Sequence, residues 1–205
     1  MVIKVCGMRD ARNIREVEAL KPTMMGFICW EGSSRYVAES PACLPHCIRV
    51  GVFVNPQLSF LQEKARQLNL DRIQLHGDET PQFCQRVIEM TGLPIIKGIS
   101  VKTPEDIEKY RPYEGYADLL LFDTKCDNVG GSGKQFRWDI LQHYDGDTPF
   151  LLAGGIGPND AIRVAQFHHP RFIGVDLNSR FETKPGLKDV IALRNFINDI
   201  RHEPY

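Results

Sequence analysis

The sequence contains no long hydrophobic run. Its longest apolar stretches, such as residues 119–122, are four residues long, whereas a membrane-spanning helix needs roughly 18. The first ten residues also lack the apolar core of a secretory signal, because Lys4 interrupts them. We therefore expect a cytoplasmic protein with no membrane partner. In that reducing compartment its cysteines are expected to be free thiols.

An excess of charge of one sign is also missing. The chain has 25 Lys and Arg against 26 Asp and Glu, a formal net charge of −1, and no run of five like charges. A general nucleic-acid-binding protein carries a clear basic excess, so nucleic acid is not an expected partner. A locally basic pocket for a small anion remains compatible with this balance.

The common metal and nucleotide motifs are absent as well. Cys43 and Cys47 have no second Cys or His pair at zinc-site spacing, and no H-E-x-x-H string occurs. The glycine-rich segment 130–136 fails the Walker pattern, because Gln135 follows its lysine, and fails the dinucleotide pattern at Phe136. We expect neither a metal nor a cofactor. The loop at 128–136 is either a surface turn or a glycine-hinged lid.

Eight short apolar segments alternate with stretches of helical spacing. They lie at 2–6, 24–30, 48–54, 72–75, 94–99, 118–123, 149–153 and 171–176. Asp10, Thr80 and Thr103 are placed to start helices between them. Apolar strands of this kind fit a parallel sheet covered by helices. An open doubly wound sheet also alternates in this way, but eight strands favour an α/β fold with one domain, residues 1–205, forming a (β/α)8 TIM barrel.

Polar residues follow several of the predicted strands. In a TIM barrel the carboxyl ends of the strands face one mouth, which would bring together Cys6, Arg35, His76, Asp123 and Asp176. Taken alone, Cys6 is explained by packing, and Asp123 by a loop cap or a pair with Arg35. The convergence of five polar groups favours an active site at this end of the barrel.

Small polar residues and glycines follow the last two predicted strands. Gly154 and Gly155 end the seventh, and Asn178, Ser179 and Arg180 follow the eighth. Loops at these positions commonly form a phosphate cradle in this fold, and glycine lets the backbone approach an anion closely. Ordinary turns would need the same residue types. Their presence in both loops favours a phosphorylated small-molecule substrate.

An ordered set of motifs resembles the phosphoribosylanthranilate isomerase family. These are VCG at 5–7, GF at 26–27, SSRY at 33–36, VGVFVN at 50–55, QLHGDE at 74–79, LLFDT at 120–124, GGSGKQFRW at 130–138, LAGGIGP at 152–158 and PGLKD at 185–189. The resemblance implies a cofactor-free TIM-barrel enzyme of tryptophan biosynthesis, monomeric or homodimeric. Such an enzyme converts N-(5-phosphoribosyl)anthranilate into the 1-deoxyribulose 5-phosphate isomer by an Amadori rearrangement.

The resemblance also implies residue roles. Cys6 would be the general base and Asp123 the general acid, while Arg35 would orient the anthranilate. Asp176 would contact the sugar or amine, and His76 would bind substrate or shape the pocket by hydrogen bonding. One acid and one base suffice for this chemistry. The base must be a thiolate and the acid a neutral carboxyl, so nearby charges must set the balance.

Two loops depart from the family pattern. Asn178 and Arg180 replace a Ser and a Gly after the last strand, and Gly157 stands where the family often has Asn. Either the turn differs, or Arg180 adds a cation to the phosphate site. Two other functions stay open. A histidine-pathway aminoaldose isomerase would have Asp in place of Cys6 and two phosphate cradles. A non-catalytic sugar-phosphate-binding barrel would need neither Cys6 nor Asp123.

Overall fold

Eight parallel strands form a closed barrel in the computed structural model, which describes residues 1–124 and 138–202. The strands are β1 (Val2–Cys6), β2 (Met24–Ile28), β3 (Ile48–Phe53), β4 (Arg72–Leu75), β5 (Ile95–Val101), β6 (Leu119–Thr124), β7 (Phe150–Ala153) and β8 (Phe172–Leu177). Each strand pairs with the next, and β8 pairs with β1. The TIM-barrel prediction is confirmed, and the open-sheet alternative is wrong.

Helices cover the outside of the barrel. The α-helices are α1 (Ala11–Glu18), α2 (Leu58–Gln67), α3 (Pro81–Thr91), α4 (Ala161–Ala165) and α5 (Val190–His202), and short 3-10 helices span Pro104–Tyr113, Trp138–His143, Pro158–Asp160 and Ser179–Phe181. Asp10 caps α1 by accepting a hydrogen bond from the backbone N–H of Asn13 at 2.8 Å. Thr80 caps α3 in the same way. The predicted helix starts at these two positions are confirmed.

One connection departs from the regular βα alternation. Residues 29–47, between β2 and β3, contain no helix. Pro41 and Pro45 lie in this segment, and proline has no backbone N–H to donate within a helix. The segment instead returns to the barrel, where Tyr36 forms an isolated parallel bridge with Ile28. This connection therefore lies at the carboxyl end of β2, beside the barrel mouth.

Apolar side chains pack in two layers on either side of the strands. The larger layer fills the space between strands and helices. The smaller one fills the barrel interior with Met24, Val50, Ile96, Leu119, Leu121, Leu151 and Ala153. Each large buried aliphatic side chain contributes about 1.5–3 kcal/mol to stability. Within the described ranges, no helix is long and apolar enough to span a bilayer.

Candidate active site

A cavity of about 720 Å³ opens at the carboxyl ends of the strands. This volume is typical of small-molecule sites. The predicted site residues that line it are Cys6, His76, Asp123, Asp176, Gly154, Gly155, Asn178, Ser179 and Arg180. Arg35 is the one predicted site residue that does not line the cavity. The exposed indole of Trp30 stands at the rim on the β2 side.

Cys6 lies beside a buried ion pair that links β1 to β8. Nζ of Lys4 is 2.9 Å from Oδ1 of Asp176, and both side chains are buried. Lys4 and Cys6 are two residues apart on β1, so their side chains project into the barrel on the same side. A Cβ on Gly26 of β2 would lie 2.7 Å from Sγ of Cys6 and 3.2 Å from Nζ of Lys4. Glycine at this position therefore makes room for both side chains.

The charges around Cys6 act in opposite directions on its thiol. Burial raises the pKa of Cys6, and the positive charges of Lys4 and Lys188 oppose that rise. Burial would lower the pKa of Lys4, but Asp176 and Cys6 outweigh it and raise it, so Lys4 stays charged. Burial also raises the pKa of Asp176. Lys4 is thus the cation that favours a thiolate in this buried setting.

Arg35 is held by a carboxylate next to the cavity. Nε of Arg35 lies 2.9 Å from Oε1 of Glu182, and its Nη2 lies 2.6 Å from Oε2. Lys188 donates to the same carboxylate at 2.6 Å and to Oδ1 of Asn178 at 2.8 Å. Burial would raise the pKa of Glu182, but these two cations hold it below its usual range. Two cations around one carboxylate leave a net positive charge near Cys6.

Asp123 pairs with His76 in this structure. Nε2 of His76 lies 3.2 Å from Oδ2 of Asp123, and Nδ1 of His76 lies 3.0 Å from Nε2 of Gln74. Gly98 on β5 stands between the strands that carry these groups, and a Cβ there would lie 2.4 Å from Nδ1. The missing side chain on β5 lets the imidazole reach from β4 to β6.

The loops after β7 and β8 meet at one side of the cavity. Gly154 and Gly155 have φ values of 85° and 67°, a left-handed conformation that glycine adopts without strain. Arg180 lies in the short helix Ser179–Phe181 and does not have a positive φ. The turn therefore accommodates a side chain. A Cβ on Gly157 would lie 3.6 Å from the Cβ of Arg180, so the two departures from the family pattern face each other.

The loops after β3 and β4 are joined by the side-chain carboxylate of Glu79. The backbone N–H groups of Asn55 and Gly77 donate to the carboxylate of Glu79 at 2.8 and 3.0 Å. Nζ of Lys97 lies 3.1 Å from the same carboxylate, and both charged side chains are buried. These loops face the β7 and β8 loops across the barrel. The N–H groups of Asn55 and Gly77 are thus already bound to a side chain.

Several residues of this site were missed by the sequence reasoning. Lys4, Gln74, Glu182, Lys188 and Trp30 were not predicted to contribute. For Lys4 and Gln74 a signal existed, since each lies on a strand two residues before a predicted site residue, at the spacing that brings two side chains to the same face. Lys188 lies in the PGLKD string at 185–189 that carries the family resemblance, whereas Glu182 lies in none of the quoted motifs. The loop at 128–136, expected to be either a surface turn or a lid, lies outside the described residues.

The chain was compared with known proteins. A family model described as N-(5'-phosphoribosyl)anthranilate (PRA) isomerase matches residues 3–199. The N-(5'-phosphoribosyl)anthranilate isomerase of Parabacteroides distasonis is 49% identical over 211 residues, covering 98% of this chain and 94% of that protein.

Two solved structures show the same architecture. The phosphoribosyl anthranilate isomerase of Thermotoga maritima superposes with a TM-score of 0.85 at 30% identity, covering 99% of this chain and all of that one. A second isomerase structure, in complex with reduced 1-(o-carboxyphenylamino)-1-deoxyribulose 5-phosphate, has a TM-score of 0.83 at 27% identity and covers 99% of this chain and 100% of its own. The chain belongs to the N-(5'-phosphoribosyl)anthranilate isomerase family, whose members catalyse an aldose–ketose isomerisation in tryptophan biosynthesis.

Proposed function

We propose that Cys6 is the general base and Asp123 the general acid of the family's reaction in this chain. The reaction converts N-(5-phosphoribosyl)anthranilate into 1-(2-carboxyphenylamino)-1-deoxyribulose 5-phosphate. One observation carries the proposal: a thiol and a carboxyl group line the same cavity from β1 and β6, three places apart around the ring of strands. A sugar lying between them can exchange protons with both.

Ring opening is the step assigned to Asp123. Its carboxyl group gives a proton to the ring oxygen, the bond between C1 and that oxygen breaks, and the anilino nitrogen supplies the electrons for a protonated Schiff base. Asp123 is left as a carboxylate. The nearby imidazole of His76 then donates a hydrogen bond to it, which stabilises the negative charge.

Proton removal from C2 is the step assigned to Cys6. Its thiolate takes the C2 proton, and the electrons of that bond form the enolamine between C1 and C2. The thiol then gives a proton to C1, while the C2 hydroxyl returns one to Asp123 and becomes the ketone. Protons and electrons balance over the cycle, and both residues end in their starting states. Lys4 and Lys188 support the thiolate form that the cycle needs.

The substrate is proposed to lie across the cavity with its phosphate toward Gly155, Ser179 and Arg180. The anthranilate would then lie at the β2 side, near Trp30 and Arg35, and Asp176 would contact the sugar or amine. This orientation is supported by the left-handed glycine turn on one side and by the exposed indole on the other.

The alternative aminoaldose of histidine synthesis carries two phosphates. In this chain the loops on the other side of the barrel bind their N–H groups to Glu79 instead. That observation supports a substrate with one phosphate. The presence of Cys6 is one reason to prefer the anthranilate substrate, and these occupied N–H groups are a second, physical reason.

The experiment uses the fluorescence of anthranilate. Phosphoribosylanthranilate is generated in solution, the protein is added, and the decay of the substrate signal is followed. Cys6→Ser and Asp123→Asn are each expected to lower kcat by about 10²-fold or more, with KM nearly unchanged. Cys43→Ser makes the same chemical change in the β2–β3 connection, away from the cavity, and should retain full activity.

Each result has a distinct meaning. Wild-type kcat in Cys6→Ser would show that another group is the base. Absence of decay with the unaltered protein would leave a phosphate-binding barrel, and the histidine-pathway aminoaldose would be the next substrate to test.

A further inference from the structure

We propose that Gln74 is a positioning residue that supports His76 in both of its neutral tautomers, and thereby stabilises Asp123 both with and without its catalytic proton. The proposal rests on the acid role given above to Asp123. It adds a residue that neither contacts Asp123 nor takes part in the proton transfers themselves.

Gln74, His76 and Asp123 form one hydrogen-bonded chain inside the barrel mouth. Gln74 and His76 are two residues apart, so both side chains project to the same side of the sheet. Nε2 of Gln74 lies 3.0 Å from Nδ1 of His76, and Nε2 of His76 lies 3.2 Å from Oδ2 of Asp123. Each nitrogen of the imidazole is therefore within hydrogen-bonding distance of one of these two side chains.

Packing does not explain the choice of a glutamine at this position. Gln74 is 2% exposed, and its Oε1 is the only buried side-chain nitrogen or oxygen in the described ranges that lacks a hydrogen-bond partner. An unpaired buried polar atom costs stability. Val52 and Leu121 line the same cavity with apolar side chains, and an apolar residue at position 74 would avoid that cost.

The amide matches the two states of the imidazole. When Asp123 is a carboxylate, His76 donates its Nε2–H to it, and Nδ1 accepts an N–H from Gln74. When Asp123 is a neutral carboxyl, it donates its own proton to Nε2, and the ring proton stands on Nδ1 instead. The ring changes between these tautomers by giving one proton to water in the cavity and taking one back, so its own proton count is unchanged. Nδ1–H now needs an acceptor, which a half-turn of the Gln74 amide supplies as Oε1.

The unpaired Oε1 makes this half-turn easy. Rotation of an amide normally breaks a hydrogen bond at its far end. At Gln74 that end has no partner in the described ranges, so the amide exchanges its two ends without losing another bond. The buried orphan atom is thus explained as the consequence of a side chain that must present either end to His76.

Within residues 1–124 and 138–202, few other charged groups lie near His76. Asp123 faces it from β6, and Asp176 on β8 is close enough for His76 to influence its pKa. Lys4 and Cys6 on β1 surround Asp176. From β5 the ring meets Gly98, which has no side chain. Lys97, the neighbouring residue on β5, is bound to Glu79 and to backbone carbonyls.

The test combines two substitutions with a matched control. In Gln74→Glu, a carboxylate accepts from Nδ1–H but cannot donate, so it favours the protonated pair. The alkaline side of the kcat profile is expected to move up by about one pH unit, as expected for a charge added next to a titrating pair. In Gln74→Met, neither state is supported, and kcat is expected to fall about tenfold with little change in KM.

A second readout does not depend on turnover. The ring nitrogens of His76 are titrated by NMR without substrate, with His76→Gln used to assign the signals. In Gln74→Glu the His76 titration should move upward together with the alkaline side of the kcat profile. Gln85→Glu makes the same change on exposed α3, where Gln85 bonds Glu89, and should alter neither profile.

The two readouts separate this proposal from the proposed function. If the protein does not isomerise phosphoribosylanthranilate, the NMR titration still tests the role of Gln74. Folded Gln74→Glu protein in which the His76 titration is unmoved would overturn the proposal. If that variant does not fold, Gln74→Met decides, and a kcat profile of unchanged height and shape would overturn it.

Discussion

Replacing Lys4 by methionine is expected to raise the pH at which Cys6 becomes a thiolate. Methionine preserves most of the apolar length of the buried side chain and removes its charge. Sγ of Cys6 and Nζ of Lys4 both lie within 3.2 Å of the position that a Cβ on Gly26 would occupy. They are therefore at most about 6 Å apart, where one charge at an effective dielectric constant near 20 is worth about 3 kcal/mol.

This energy corresponds to about two units in the pKa of the thiol. Because the base must be ionised, a higher thiol pKa moves the acidic side of the kcat/KM profile to higher pH. At neutral pH the expected loss of kcat/KM is about 100-fold, recovered progressively as the pH rises. The assay is the decay of substrate fluorescence over a pH series, together with the ultraviolet absorbance of the thiolate, for which Cys6→Ser provides the blank.

Stability must be separated from this effect. Lys4→Met leaves Asp176 buried without its partner, which typically costs 3–5 kcal/mol. The double variant Lys4→Met/Asp176→Asn removes both charges and should regain stability. Its Cys6 thiol should still ionise at a higher pH than in the unaltered protein. Lys64→Met removes another buried lysine, one that bonds backbone carbonyls far from Cys6, and should leave the profile in place. An unchanged acidic side in folded Lys4→Met protein would refute the reasoning.

Two further changes test the proposed phosphate-binding side and the proposed proton-donor side of the cavity. If the guanidinium of Arg180 binds phosphate, Arg180→Met should raise KM about tenfold with kcat unchanged. The control Arg12→Met, on the exposed face of α1, should leave KM unaltered. Equal KM values for the two variants would exclude phosphate binding by Arg180. Gly98→Ala places a Cβ 2.4 Å from Nδ1 of His76, so the ring must move away from Asp123 and kcat should fall about tenfold. A wild-type kcat in protein shown by thermal melting to be folded would contradict the importance of the contact between His76 and Asp123.

The fold could be predicted because its signals are local and repeated. All eight strands lie where short apolar segments were found, and the bounds agree within two residues at either end. Asp10 and Thr80 marked helix starts correctly, since capping depends on neighbouring backbone groups. The segment 29–47 was harder. A repeating βα pattern implies a helix there, whereas the prolines within that segment disfavour one.

The contacts within the site were less predictable because they join distant parts of the chain. Arg35 and Glu182 are 147 residues apart, and only barrel closure brings them together. From the sequence, Arg35 was the simplest partner to expect for Asp123, but in the structure the partner of Asp123 is His76. Composition and spacing carry no information about such pairs. They depend on which strand ends face each other once β8 has closed on β1.

Glycines on the strands next to those that carry the polar side chains explain how the barrel interior can hold so many of these side chains. Gly26 leaves space for Lys4 and Cys6, and Gly98 leaves space for the imidazole of His76. A side chain at either glycine would collide with a polar group that the proposed reaction needs. The glycine of the GF motif at 26–27 is thus explained by the space that Lys4 and the proposed base Cys6 need. A larger residue at position 26 or 98 would overpack the interior and displace that polar group, so both stability and activity are expected to fall.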